Sequence, residues 1–189
     1  MPILIFIAFL AVVLLYFVMI YNNLVQLKHN VAKAWSNIDV LLKQRHDELP
    51  KLVDTCKQYM QFEKETLEKV MAARAGVAMA REAKNMMALG AAETALRSGL
   101  GNLIATVEAY PELKSNEQFQ HLLGRITNLE DAIADRREYF NETVNINNVR
   151  IEQFPDTLIA HLFRFYGFES LQFTEEDRKD VAVGTLFKQ

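Results

Sequence analysis

One cysteine, four prolines and seven glycines are all that this chain of 189 residues contains of those types. A single thiol, Cys56, cannot close an internal disulfide and has no spaced partners for a zinc site, so it reads as a small buried apolar residue. So few breakers favour long regular elements over a loop-rich β protein. No sign of charge dominates: the net is −3, and acids and bases are mixed along the chain. Without a basic stripe to neutralise phosphates, nucleic acid is not expected as a partner.

Catalytic patterns are equally scarce. His29, His46, His121 and His161 lie without ligand spacing. The Glu-x-x-His pairs of a di-iron bundle, the His-Glu-x-x-His of a zinc protease, a Gly-rich phosphate loop and a Gly-x-Ser-x-Gly elbow are all missing. Cys56 and His46 are ten residues apart. Along a helix that is about 15 Å, out of reach for a nucleophile and its base. Asn141-Glu-Thr matches a glycosylation acceptor, a pattern common by chance and here on an expected helix. The residues therefore point to a non-enzymatic protein with no metal and no cofactor.

What the chain has in abundance is apolar sequence. From Ile3 to Tyr21, ILIFIAFLAVVLLYFVMIY, 19 residues pass without a charge. As a helix the run spans ~28 Å, close to the ~30 Å hydrocarbon core of a bilayer. Tyr16 and Tyr21 come late in it, within reach of the headgroup layer. A cleaved signal peptide would want a basic start, a shorter core and a small-residue cleavage site, and the run shows none of these. Residues 1–21 are thus expected to be a retained single-pass anchor contacting membrane lipid. Lys28, Lys33, Lys43 and Arg45 follow the run, which leans towards a cytoplasmic domain, although Asp39, Asp47 and Glu48 interleave with them.

Beyond residue 22 no segment keeps strand alternation. Val31, Trp35, Ile38, Leu42, Leu49, Leu52, Cys56 and Tyr59 hold a near-heptad rhythm, with Arg45 at a skipped place. The membrane helix is expected to continue into this one and on through residues 62–82, with Pro50 as a kink or restart. KNMMALG, 84–90, reads as a turn, and a second helix over about 91–109 is rich in small residues that permit close packing: Ala91, Ala92, Ala95, Gly99, Gly101 and Ala105. Tyr110-Pro111 ends it, and Ser115 or Asn116 can cap the next. In that third helix Leu122, Ile126, Leu129, Ile133, Phe140, Val144, Ile151 and Phe154 keep the seven-residue rhythm, with Arg136 and Asn147 in the seam. A short helix from Pro155 stops at Gly167, and 169–189 reads as a partly disordered tail. The expected fold is all-α, an antiparallel bundle of long helices over residues 22–168. An up-down-up course would bring Asn141, Asn145 and Asn148 near Asn22, Asn30 and Asn37, an amide-rich layer that sets register or faces a partner.

Three blocks, taken in order, carry a resemblance. YNNLVQLKHNVAKAWSNIDVLLKQRHDELPKLVD resembles the opening block of the LemA family, EAYPELKSNEQF its central block and ADRREYFNETVNINNVRIEQFP its closing block, spanning about residues 21–168. The resemblance implies a bacterial membrane-anchored helical bundle with no assigned catalysis. It implies chiefly structural roles for Tyr21, Asn22, Trp35, Asp39, Arg45, Pro50, Tyr110, Pro111, Phe119 and Pro155. Some relatives carry a lipoprotein cysteine just before the Tyr-Asn pair, but here Met19-Ile20 stands there and lipidation is not carried over. Lipidated relatives would hold the domain outside the cytoplasm, against the lean of the charged flank. Family members are sometimes linked with membrane metalloproteases or envelope stress, a partner class alongside self-association and other membrane proteins. The expected function is a membrane scaffold or adaptor acting through helix–helix contacts. The alternatives are a membrane-remodelling or fusion-type factor, using the aromatic stretch 161–173, and a ligand-sensing helical module; that stretch lacks the basic polar face insertion favours and is expected to pack against the bundle.

Overall fold

The computed structural model describes residues 1–172. Residues 173–189, most of the expected tail, lie outside that range. Six helices make up the described chain: α1 (Pro2–Lys57), α2 (Lys64–Glu82), α3 (Met86–Val107), α4 (Pro111–Lys114), α5 (Glu117–Glu152) and α6 (Asp156–Leu162). The fold is all-α, with no strand among the described residues. The apolar run forms the start of α1, and its side chains from Ile3 to Met19 are largely exposed. This helix is long and apolar enough to cross a membrane.

The chain divides into two compact units. One contains residues 1–38 and 135–170. Its interior is built by Val31, Ala34 and Ile38 of α1 and Phe140 and Val144 of α5, and by Ile20 and Leu24 of α1 against Ile159 and Ala160 of α6. The second contains residues 39–134 with Leu171. Its buried apolar set comes from Leu42, Leu49, Leu52 and Cys56 of α1, Leu67, Val70 and Val77 of α2, Leu89, Leu96 and Leu103 of α3, and Leu122, Ile126 and Ile133 of α5. Small residues bring α2 and α3 close: a Cβ on Gly76 would lie 3.7 Å from Ala92 Cβ, and one on Gly99 would lie 3.5 Å from Val70 Cγ2.

Several expected boundaries are corrected. α1 does not run on to residue 82; it ends at Lys57, and residues 58–63 separate it from α2. Pro50 restarts nothing, because helix is unbroken on both sides of it. The turn expected at 84–90 is the shorter stretch 83–85, so α3 begins at Met86. The reason is backbone chemistry that glycine usually signals. Lys84 takes φ 52, and the Asn85 N–H donates to Ala80 O at 3.1 Å, a Schellman ending without glycine. The Asn85 side chain then caps α3 by accepting from the Ala88 N–H at 2.9 Å. α6 also stops early: Arg164 takes φ 56 and the Phe165 N–H reaches Ala160 O at 2.9 Å. Arg136 and Phe154, expected in the α5 seam, are exposed, whereas Asn147 is buried as expected. The Phe154–Pro155 peptide is cis.

Candidate functional site

In the second unit, one side chain interrupts the apolar rhythm of α1. Arg45 is 1% exposed. A guanidinium in such a place needs acceptors in its own plane. It has two: NH2 donates to Glu93 of α3 and NH1 to Glu130 of α5, each at 2.5 Å. Arg97, four residues after Glu93, adds its guanidinium 3.4 Å from the other Glu130 oxygen. Two cations and two carboxylates from three helices thus form a cluster with no net charge. Burial opposes the charge on Arg45, but Glu93 and Glu130 outweigh it and hold its pKa above the ordinary arginine value. Glu93 is 0% exposed, and burial pushes its carboxyl above the usual range despite the attraction of Arg45. Its Oε2 has no hydrogen-bond partner among the described residues. Nearby, Glu48 of α1 accepts from Arg125 of α5 at 2.7 Å and from Lys51 at 3.2 Å.

Pro50 bears on the same stretch of α1. A proline has no N–H, so the carbonyl four residues back loses its helical partner. That carbonyl is His46 O, and Arg74 of α2 supplies the missing donor through Nε at 2.9 Å. A second Arg74 nitrogen lies 2.6 Å from His46 Nε2, which accepts from it if the imidazole is neutral. Burial first, and then the Arg74 charge, lower the His46 pKa. Cys56, further along, is fully buried, and burial pushes its thiol up to about 12. Such a thiol is unreactive.

The remaining expected residues scatter between local roles. Within the second unit, Asp39 faces Arg81 at 3.7 Å. The Tyr110 hydroxyl donates to Glu63 at 3.4 Å, Pro111 opens α4, and Phe119 is buried. Within the first unit, Trp35 packs on Phe140 with ring centres 5.8 Å apart. Tyr21 meets Phe163 and Phe165, Asn22 is exposed, and Pro155 precedes α6. Asn148 uses both ends of its amide on one backbone position: it donates to Phe168 O and accepts from the Phe168 N–H, both at 2.9 Å. Asn141 is half-buried, and Asn145 is exposed, as are Asn22, Asn30 and Asn37. Glu93, Glu130 and Arg74 were not singled out from the sequence. Glu93 had a signal, as the one acid in an α3 otherwise made mainly of apolar and small residues.

Two open grooves accompany the second unit. One, about 410 Å³, is lined by Thr66, Lys69, Gly99, Asn102, Ala105 and Thr106. The other, about 560 Å³, lies over Asp47, Glu48, Lys51 and Arg125. No group of three or more metal-ligating side chains occurs among the described residues.

Comparison with known proteins adds the following. The profile of the LemA family matches residues 34–184. Protein LemA of Metamycoplasma hominis is 26% identical over 169 residues, 87% of this chain and 74% of that protein. A magnetosome protein MamQ of Paramagnetospirillum magneticum is 29% identical over 102 residues, 54% of this chain and 38% of its own length. MamQ of Magnetospirillum gryphiswaldense is 33% identical over 89 residues, 47% of this chain and 32% of its own length. The chain therefore spans less than half the length of the magnetosome relatives it matches.

Proposed function

The chain belongs to the LemA family, and from that premise we propose that it is a non-enzymatic, membrane-anchored scaffold that holds other membrane proteins, or further copies of itself, through helix–helix contacts. The observation that carries the reading is the unbroken course of α1. One helix, Pro2–Lys57, bears the exposed apolar run at its start and core residues of the bundle along the rest. Two further features support it. The charges most suited to chemistry, those of Arg45, Glu93 and Glu130, are engaged with one another in the interior. On α5 the exposed Tyr139, Ile146 and Val149 recur at seven and three residues, which gives one helix face a mixed apolar and polar surface with Glu142.

The anchor lies in the bacterial inner membrane. Lys28, Lys33 and Lys43 follow the run and are exposed, which favours a cytoplasmic bundle; Arg45, being paired inside, adds little to that bias. Photo-crosslinking side chains placed at Ile146 and Val149 of the full chain, in its native membrane, test the scaffold. Discrete adducts at these positions, absent from the exposed control Lys64, are expected. Their absence from a folded, membrane-bound chain would overturn the reading.

A further inference from the structure

The apolar run of α1 ends at Tyr21, and α6 packs at that level. Ile20 and Leu24 form one buried cluster with Ile159 and Ala160, and Ile151 and Phe165 pack at its margin. The Tyr21 ring meets Phe163 at 4.8 Å and Phe165 at 5.8 Å, edge-on in both cases. α6 is therefore fixed to α1 at the point where that helix leaves the hydrocarbon. Much of the remaining apolar surface of residues 154–166, α6 and its flanks, is uncovered. Phe154 is 80% exposed, Leu162 74% and Tyr166 72%, and Leu158 and Phe163 are more than half exposed. Exposed apolar side chains of this size, grouped so closely, mark a surface that is covered by something.

We propose that residues 154–166 form a foot that lies in the headgroup region of the same membrane that α1 crosses. The occupant is a lipid surface because the patch is continuous with one: Tyr21, at the end of the apolar run and itself partly exposed, joins α1 to Phe163. The composition suits that depth. Tyrosine and phenylalanine favour the interface, and the exposed His161 and Arg164 stand among the apolar residues where phosphates would receive them. The charge of Asp156, buried at the base of α6, is met by Arg150. A single helix leaves its unit free to turn about the helix axis; a foot beside it removes that freedom and presents one face of the unit along the membrane. The proposal rests on α1 as an anchor.

Spin labels on the full chain in liposomes of phosphatidylcholine and phosphatidylglycerol test it. With Cys56 replaced by Ser, single cysteines are placed at Leu10 in the run, at Leu162 and at the exposed Glu138 of α5. Collisions with oxygen, which concentrates in lipid, are compared with those of a water-soluble nickel chelate. Oxygen should dominate at position 10 and, at shallower depth, at 162, while the chelate dominates at 138. If 10 is deep but 162 behaves like 138, the foot is overturned and the anchor stands. If 10 is also in water, both fall. Spin–spin broadening at 162 that fades on dilution with unlabelled chain would put a second copy on the patch and likewise overturn the proposal. A label at Tyr166 repeats the test should the Leu162 variant misfold.

Discussion

Arg45 stands where a heptad residue would pack, and its side chain is buried about as completely as the core leucines around it. Breaking a buried ion pair by removing one partner leaves a charge without compensation, at about 3–5 kcal/mol. Arg45→Met should therefore lower the stability of the full chain in detergent by about that much, read by chemical denaturation. Arg45→Lys should recover little, because an ammonium cannot bridge two carboxylates in one plane. The pH dependence of the Met variant follows from Glu93, whose carboxyl is already raised by burial. A raised carboxyl binds its proton more tightly folded than unfolded. Its contribution is thus fullest below the ordinary carboxylate pKa and is lost as pH rises through the folded value. The deficit of Arg45→Met should be largest near neutral pH and shrink on acidification. A deficit independent of pH would separate Glu93 from the effect. From the sequence, Arg45 was visible as an interruption of the apolar rhythm, but its partners were not, since Glu93 and Glu130 are distant along the chain and are chosen only by how three helices pack.

At the scale of the element, Pro50 and Arg74 act as a pair. The donor that Pro50 lacks is replaced by Arg74 at His46 O. Arg74→Ala should destabilise by about 1 kcal/mol, the lower end of the penalty for a polar group left unpaired, because His46 O is only partly buried. In a Pro50→Ala background the new N–H can take the same carbonyl, so the Arg74→Ala penalty should be smaller there. A double-mutant cycle measures this, and equal penalties in both backgrounds would show that Arg74 does not act through the freed carbonyl. Lys84 gives a second prediction. It holds a left-handed φ of 52 at the end of α2, which costs a non-glycine residue roughly 1 kcal/mol. Lys84→Gly should raise the melting temperature; no change, or a fall, would mean that the added freedom of the unfolded glycine cancels the relief. These two sites also show what the sequence hid. Helix existence and type were legible from apolar spacing, and so was the end of α2 at residue 82, but the early start of α3 and the end of α6 were not, because Lys84 and Arg164 occupy the left-handed positions where glycine would have announced a tight stop. The break at residues 58–63 was masked for a different reason, the continuing apolar spacing of Met60, Leu67 and Val70 across it.

For the whole molecule, the all-α class and the long N-terminal helix were readable from two signals, an uninterrupted apolar run and a recurrence of apolar residues at three and four. The family blocks were readable as well, and the LemA profile covers residues 34–184. A scaffold of this kind requires that α1 cross a bilayer, with the helical part of the chain held on one side of it. Cysteine labelling tests that directly. In a Cys56→Ser chain, single cysteines at Pro2 and at the exposed Lys57 are treated in intact cells with a membrane-impermeant maleimide, then again after lysis. Position 2 should label in intact cells and position 57 only after lysis. The reverse pattern would keep the anchor and overturn the cytoplasmic placement. Equal labelling of both positions in intact cells, or of neither before lysis, would contradict the membrane crossing itself.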